Sequence, residues 1–198
     1  MKIKTSLLII LAVLSYKGFS QFHFIGLKSG LATTNVTSDN SFLGDKNKKN
    51  INFGLTYEYQ LSKKSFIGID LLYTQKGFIN VYELTNNSGN TIGTEETKFN
   101  YNYLSLPVKY GLGIANKVHA SIYLGLAPSL LQSAEITSSN SSSNIKSTVD
   151  NLDIVGLIEG NIGYEFLFRT IGYASFSFNK SFLSADDFNT QHYGFNFL

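Results

Sequence analysis

INFGLTYEYQLSKKSFIGIDLLYTQKG, residues 51–77, is the stretch on which the reading of the fold turns. Its odd positions Ile51, Phe53, Leu55, Tyr57 and Tyr59 are apolar or aromatic, while Asn52, Gly54, Thr56, Glu58 and Gln60 are small or polar. A period of two describes a β-strand with one apolar and one polar face. After a short polar turn, Leu61 to Ser65, the rule resumes with Ile67, Ile69, Leu71 and Tyr73 on one face and Gly68, Asp70, Thr74 and Lys76 on the other. Two such runs predict an antiparallel hairpin. The polar face is rich in Gly, Asn and Thr with scattered charges, which suits a crowded, water-lined barrel interior better than open solvent.

The same alternation extends in both directions. Before the hairpin, Phe22 to Leu31 reads as a strand with Ile25 and Leu27 opposite Gly26, Lys28 and Gly30. After it, residues 98–112 form a strand whose apolar parity changes from odd (Phe99, Tyr101, Tyr103) to even (Leu104, Leu106, Val108, Tyr110, Leu112), so a bulge is expected near Tyr103–Leu104. Pro107 falls on its polar face. Further strands are expected over 118–132, 152–165, 170–182 and 191–198. The SSNSSSN run places a mobile, low-complexity loop at 133–151.

These strands number eight, and their connections alternate in length: long at 33–50, 85–97, 133–151 and 183–190, short at 61–65, 113–117 and 166–169. Bacterial outer-membrane barrels show this asymmetry, with an even strand count, short periplasmic turns and long external loops. The expected fold is therefore all-β, an eight-stranded antiparallel up-and-down transmembrane β-barrel. Ten residues at ~3.3 Å each, tilted ~40°, rise about 25 Å, the height of the outer-membrane apolar band.

Composition agrees. Charged residues are 15% of the 198-residue chain, against a typical ~25%. There is no cysteine, which excludes a disulfide framework, a lipid-modified cysteine and thiolate chemistry. Residues 1–20 read as a cleaved secretory signal: Lys2 and Lys4 precede an apolar run, and Gly18-Phe19-Ser20 offers the small residues a signal peptidase reads. Residues 21–198 are then one barrel domain. Loss of Lys2, Lys4 and Lys17 brings acidic and basic residues close to balance, so the chain carries no excess charge for nucleic acid.

Candidate chemistry lies on the inward face. Lys28, Glu58, Asp70, Lys76, Lys109, Glu159 and Glu165 have inward parity. The interior of an eight-stranded barrel is just wide enough to be filled by side chains, so these groups are expected to pair as a structural network rather than line a pore. His23, His119 and His192 are scattered, and neither a zinc site nor any cofactor is expected. His192 lies near Ser181, Ser184, Asp186 and Asp187 in sequence, so a small outer-membrane hydrolase or acyltransferase is an alternative reading. No Gly-x-Ser-x-Gly surrounds either serine, and the leading expectation is a non-enzymatic protein with no catalytic residue. A soluble lipocalin-like carrier is a third reading; it requires apolar residues inside and charged faces outside.

One segment carries a family resemblance. Asn102-Tyr103-Leu104-Ser105-Leu106-Pro107-Val108-Lys109-Tyr110, with Lys28-Ser29-Gly30-Leu31, Leu72-Tyr73-Thr74-Gln75-Lys76-Gly77 and the aromatic C-terminus, resembles the PorT-like outer-membrane β-barrel domain family. Tyr103, Leu104, Leu106, Pro107 and Lys109 are its most specific positions. The resemblance implies an eight-stranded barrel in the outer membrane with periplasmic termini and with the four long loops outside the cell. The leading reading is action through surface loops or partner contacts, and the family's founding member, associated with protein secretion across that membrane, points to a link with secretion or envelope integrity. The partners it implies are outer-membrane lipids, the barrel-assembly machinery during insertion, and envelope or secretion proteins.

Overall fold

The computed structural model describes residues 23–37, 46–139, 141–167, 170–182 and 189–197, with backbone only for Thr37 and 189–197. The expected signal at 1–20 and the segments 38–45 and 183–188 lie outside the described residues.

Ten strand segments form one antiparallel sheet. They are β1 (His23–Thr37), β2 (Lys46–Ser62), β3 (Ser65–Thr85), β4 (Thr91–Ser105), β5 (Val108–Ala115), β6 (Val118–Thr137), β7 (Ser142–Asn144), β8 (Leu152–Leu167), β9 (Thr170–Ser181) and β10 (Asn189–Phe197). Each long strand pairs with its neighbours in chain order, and β10 pairs with both β9 and β1. The pairings therefore return to their starting point, and β1 has a partner on each side. Closure leaves no free sheet edge along these registers.

The count differs from the expected eight in two places. The strand read over 98–112 divides at Leu106–Pro107, because Pro107 has no N–H for the ladder. β4 and β5 nonetheless hold one register against both neighbours: Leu72↔Ser105 continues to Ile69↔Val108, and Ser105↔Ser129 continues to Val108↔Leu126. The gap is bridged by hydrogen bonds from Leu106 N–H to Pro128 O and from Asp70 N–H to Pro107 O, each 2.9 Å. The other addition is β7, three residues that fold back onto β6.

The bulge expected near Tyr103–Leu104 is not there. Register with β3 runs unbroken from Leu72↔Ser105 to Phe78↔Phe99, and the local shift lies instead on β6, where Gln132 is the extra residue opposite Asn102 and Tyr103. Odd residues therefore face inward along the whole segment. Phe99, Tyr101 and Tyr103 belong to the interior, and the aromatic run marks an apolar inner cap rather than an outer face. Two loop expectations change as well. Residues 85–97 are mostly ribbon: Asn80–Thr85 pairs with Thr91–Thr97 around an Asn86–Asn90 turn, where Gly89 takes φ +81°. The ribbon is tied to β2 by an exposed Lys46–Glu96 pair at 2.6 Å, whose hydrogen bond holds the Glu96 carboxyl below the usual carboxylate range. Residues 133–139 and 141–151 are folded against β6 too. β6 continues to Thr137, and Ile145 N–H donates to Ala134 O at 3.0 Å.

The two faces of the wall are sharply different. On β6, Val118, Ile122, Leu124, Leu126 and Leu130 are all at least half exposed, and on β1 Ile25 is 82% exposed. The buried set alternates with them and is mainly polar, including Lys28, Thr56, Glu58, Asp70, Lys109, Glu159 and Asn161. From Val118 to Leu130 the strand rises about 30 Å along the axis at a tilt of ~40°. A continuous apolar belt of this height is far larger than the patches monomeric soluble proteins expose.

Gly77 shows how tightly the wall is built. Its φ is +150°, a Cβ there would lie 2.0 Å from Phe99 O, and its own carbonyl accepts a hydrogen bond from Thr34 Oγ1. Gly77→Ala is expected to destabilise the fold by about 1–3 kcal/mol, read as a lower urea midpoint with an unchanged slope.

Candidate functional site

The interior polar cluster is built one residue per strand. β1 supplies Lys28, β2 Glu58, β3 Asp70, β5 Lys109, β6 Tyr123 and β8 Glu159, all on the inward parity of their strands. Gly68 beside Asp70 makes room for this: a Cβ there would lie 2.5 Å from the Lys109 side chain. Gly111 plays the same part for Tyr123, whose ring occupies the space a Cβ would need.

Lys28 Nζ lies 3.2 Å from Asp70 Oδ2 and 2.5 Å from Glu159 Oε2. Lys109 Nζ lies 3.1 Å from Asp70 Oδ2, 2.8 Å from Glu159 Oε1 and 3.8 Å from Glu58 Oε1. Thr56 donates to Asp70 Oδ1 at 2.6 Å, and Tyr123 donates to Glu58 Oε2 at 3.0 Å. Lys109 also stands 5.0 Å from the centroid of the Tyr123 ring. Asp70 is 1% exposed and Lys109 2%. Both oxygens of Asp70 and of Glu159 are thus met by donors, which is the condition under which buried charge survives.

A second group lies nearer the long-loop end. Lys76 donates to Asp153 at 2.7 Å, Ser181 donates to the same oxygen at 2.8 Å, and the Lys76 ammonium stands 4.7 Å from the centroid of the Tyr103 ring. Between the two groups is a cavity of about 60 Å³ touched by Lys28, Asp70, Glu159, Lys76, Ser105 and Ser129. It has room for a few waters and no larger solute. Above Lys76 the interior turns apolar: Tyr103, Leu131 and Ala134 pack together, with Tyr101, Ile145 and Val149 against them. Ile145 and Val149, from the segment that folds back onto β6, thus join an apolar cluster with Tyr103, Leu131 and Ala134.

Of the seven charged residues expected inside, Lys28, Glu58, Asp70, Lys109 and Glu159 are brought together in one cluster, and Lys76 pairs separately with Asp153. Glu165 joins neither group. It lies six residues beyond Glu159 on β8, about 20 Å along the strand, and its N–H donates to Lys117 O at the short-turn end. Parity assigns a face but not a height, so Glu165 read as a partner from sequence alone. Tyr123 and Asp153 were legible as inward residues but not as partners of Glu58 and Lys76, since each pair is more than sixty residues apart. The family-motif positions divide by face: Tyr103, Pro107 and Lys109 are buried, and Leu104 and Leu106 are exposed on the apolar belt.

The catalytic alternative gains no geometry. Ser181 is buried and donates to Asp153, while Ser184, Asp186 and Asp187 lie outside the described residues and His192 is described by backbone only. His23 Nδ1 meets Tyr57 Oη at 2.7 Å, and His119 Nδ1 lies 3.4 Å from Tyr173 Oη, so these two histidines serve separate contacts. Among the described residues no cluster of His, Asp and Glu is suited to a metal ion.

The sequence profile of the outer membrane protein beta-barrel domain covers residues 19–187. The chain belongs to that family. Among solved structures, it is similar to Ail, the attachment invasion locus protein of Yersinia pestis, at 15% identity and TM-score 0.47, over 87% of this chain and 95% of that one. It is also similar to Neisserial surface protein A at 12% identity and TM-score 0.49, over 89% and 97%. The N-terminal β-barrel domain of Pseudomonas aeruginosa OprF matches at 12% identity and TM-score 0.36, over 86% and 95%. A search of curated proteins finds no significant match.

The network makes a contrast that unfolding can read. Asp70→Asn removes the charge that Lys28 and Lys109 share and is expected to cost about 3–5 kcal/mol in a urea titration. Lys46→Gln, at the exposed Lys46–Glu96 pair, should leave the midpoint nearly unmoved.

Proposed function

We propose that this barrel spans the outer membrane as eight strands, counting β4 with β5, and works without catalysis. Its termini are periplasmic, and the ends of β1–β2, β3–β4, β6–β8 and β9–β10 face outside. The single observation that carries the reading is the inversion of the wall: paired charges fill the axis, and Leu, Ile, Val and Phe cover the outside. A soluble carrier would need the opposite arrangement. With the lumen occupied by the two charge groups and capped by Tyr101, Tyr103, Leu131, Ile145 and Val149, transport of a sizeable solute is not its work. What remains is the outer end itself, the β3–β4 ribbon and the β7 segment, as a surface for other envelope proteins. The motif at Tyr103, Leu104, Leu106, Pro107 and Lys109 supports membership of the PorT-like branch and, with it, a part in protein secretion or envelope integrity.

Two measurements test this. Leu71 is exposed on β3 beside buried Asp70, so Leu71→Arg should cost about 2–4 kcal/mol near the bilayer midplane and lower the yield of heat-modifiable, inserted protein. Normal insertion of that variant into lipid vesicles would remove the transmembrane reading. Orientation is read separately, because the chain has no cysteine of its own. A membrane-impermeant maleimide should label Ser88→Cys on intact cells and Lys63→Cys only after the outer membrane is breached; the reverse pattern would invert the topology.

A further inference from the structure

On the outer wall, three positions among large apolar neighbours carry almost no side chain: Ala120 on β6, Gly160 on β8 and Ala174 on β9. Together with Leu112, Ile122, Ile162 and Phe176 they shape an open depression of about 660 Å³. Register explains its form. Ile122 pairs with Gly160 and Gly160 with Phe176, while Ala120 pairs with Ile162 and Ile162 with Ala174, so the small residues are staggered into a trough between bulky ridges. The volume falls within the range of about 300–1,000 Å³ found for ligand sites.

The fold does not ask for glycine at 160. Among the described residues a Cβ built there meets no atom within 4 Å, whereas at Gly54, Gly113 and Gly125 it would come within 2.4 Å of a neighbouring backbone oxygen. A strand interior loses stability by carrying glycine, and such a residue often marks the approach of a ligand. Toward the short-turn end, the residue after this trough on the same face of β8 is Tyr164, paired with Val118, and Lys117 Nζ stands 5.7 Å from its ring centroid. Lys63 and Lys64 are exposed on the adjoining turn, which is joined to this one through the 2.9 Å bond from Gly113 N–H to Lys64 O. The acidic residue of this rim, Glu165, has inward parity on β8. An apolar trough thus ends at a cationic edge.

We propose that the trough binds one anionic glycerophospholipid of the membrane leaflet at the short-turn end, with an acyl chain laid over Gly160 and the phosphate at Lys117. The inference rests on the transmembrane reading above. Hydrocarbon fills the space that Gly160, Ala120 and Ala174 leave open, and a lysine beside an interfacial tyrosine supplies the charge that selects an anionic headgroup over a zwitterionic one.

The test folds the full chain into phosphatidylethanolamine vesicles containing a minor fraction of phosphatidylglycerol, extracts it in mild detergent and counts retained lipid by native mass spectrometry. Wild type should keep one phosphatidylglycerol with about 5-fold preference over phosphatidylethanolamine. Lys117→Gln should reduce that preference to near unity. Gly160→Leu should lose the bound lipid while still giving the folded, heat-modifiable band, since its side chain enters open space. Equal retention of both lipids by wild type, or an unchanged adduct in Gly160→Leu, overturns the inference while leaving the membrane reading intact. A wild-type dimer dissolved by Gly160→Leu would show a second copy in the trough, which also overturns it. Failure of wild type to insert into any vesicle removes the transmembrane reading, and the lipid site with it.

Discussion

Lys28 and Lys109 sit where water is nearly excluded, and each is tolerable there only because it touches both Asp70 and Glu159. Those contacts join residues on β1, β3, β5 and β8, and Glu58 and Tyr123 bring in β2 and β6. The cluster therefore constrains the registers of most of the ring at once. A slip of one residue in any of these strands would turn its charged group into the apolar belt and leave its partners unpaired at the axis. Such a penalty acts against every neighbouring register, which is how a wall of repetitive Leu, Ile and Val finds one pairing among several of similar apolar content. The glycines serve the same constraint. Gly68 and Gly111 are small because Lys109 and Tyr123 need the space above them.

Strand identity and facing were legible in the sequence to the extent that period two could carry them. On β2, the alternation of Ile51, Phe53 and Leu55 with Thr56, Glu58 and Gln60 reads directly as outside and inside. Where both faces are apolar or aromatic, the pattern says nothing about direction. Phe99, Tyr101 and Tyr103 look like an outer face in a strand continued by Leu104 and Leu106, yet the unbroken register with β3 turns them inward against Phe78, Lys76 and Thr74. Their interior role depends on the apolar cap, a feature made by Leu131, Ala134, Ile145 and Val149 from a distant part of the chain. The polar stretches misled for a related reason. Thr, Glu and Asn in 85–97 and Ser and Asn in 133–151 have loop composition, but a ribbon or a short hairpin satisfies its own backbone without needing an apolar face. Height along the axis was the remaining gap. Glu159 and Glu165 share a parity, and only closure of the ring shows that one meets the lysines and the other lies at the rim.

Among the described residues the interior is layered: Lys28, Lys109, Asp70 and Glu159 first, then Lys76 and Asp153, and finally the apolar cluster around Tyr103, with a cavity of about 60 Å³ between the two charge groups. At the long-loop end the β3–β4 ribbon continues the wall beyond its last contacts with β2 and β6, supported there by its own antiparallel pairing.

The outer wall obeys a different rule from the lumen. Inside, Gly68 and Gly111 each have an occupant, Lys109 and Tyr123, within van der Waals reach. On the outer parity of β8, a Cβ at Gly156 would meet the Phe182 ring 2.6 Å away. Gly160 differs, because among the described residues none comes within 4 Å of a Cβ built there. In a bilayer that space does not stay empty; hydrocarbon enters it, and a trough bounded by Ile122, Ile162 and Phe176 orders a chain more than a convex wall does. Ordering alone does not discriminate between lipids, since acyl chains are shared by all of them. Discrimination requires a charge at the headgroup level, and Lys117, in the turn just before β6, stands beside Tyr164, which shares the trough's face of β8.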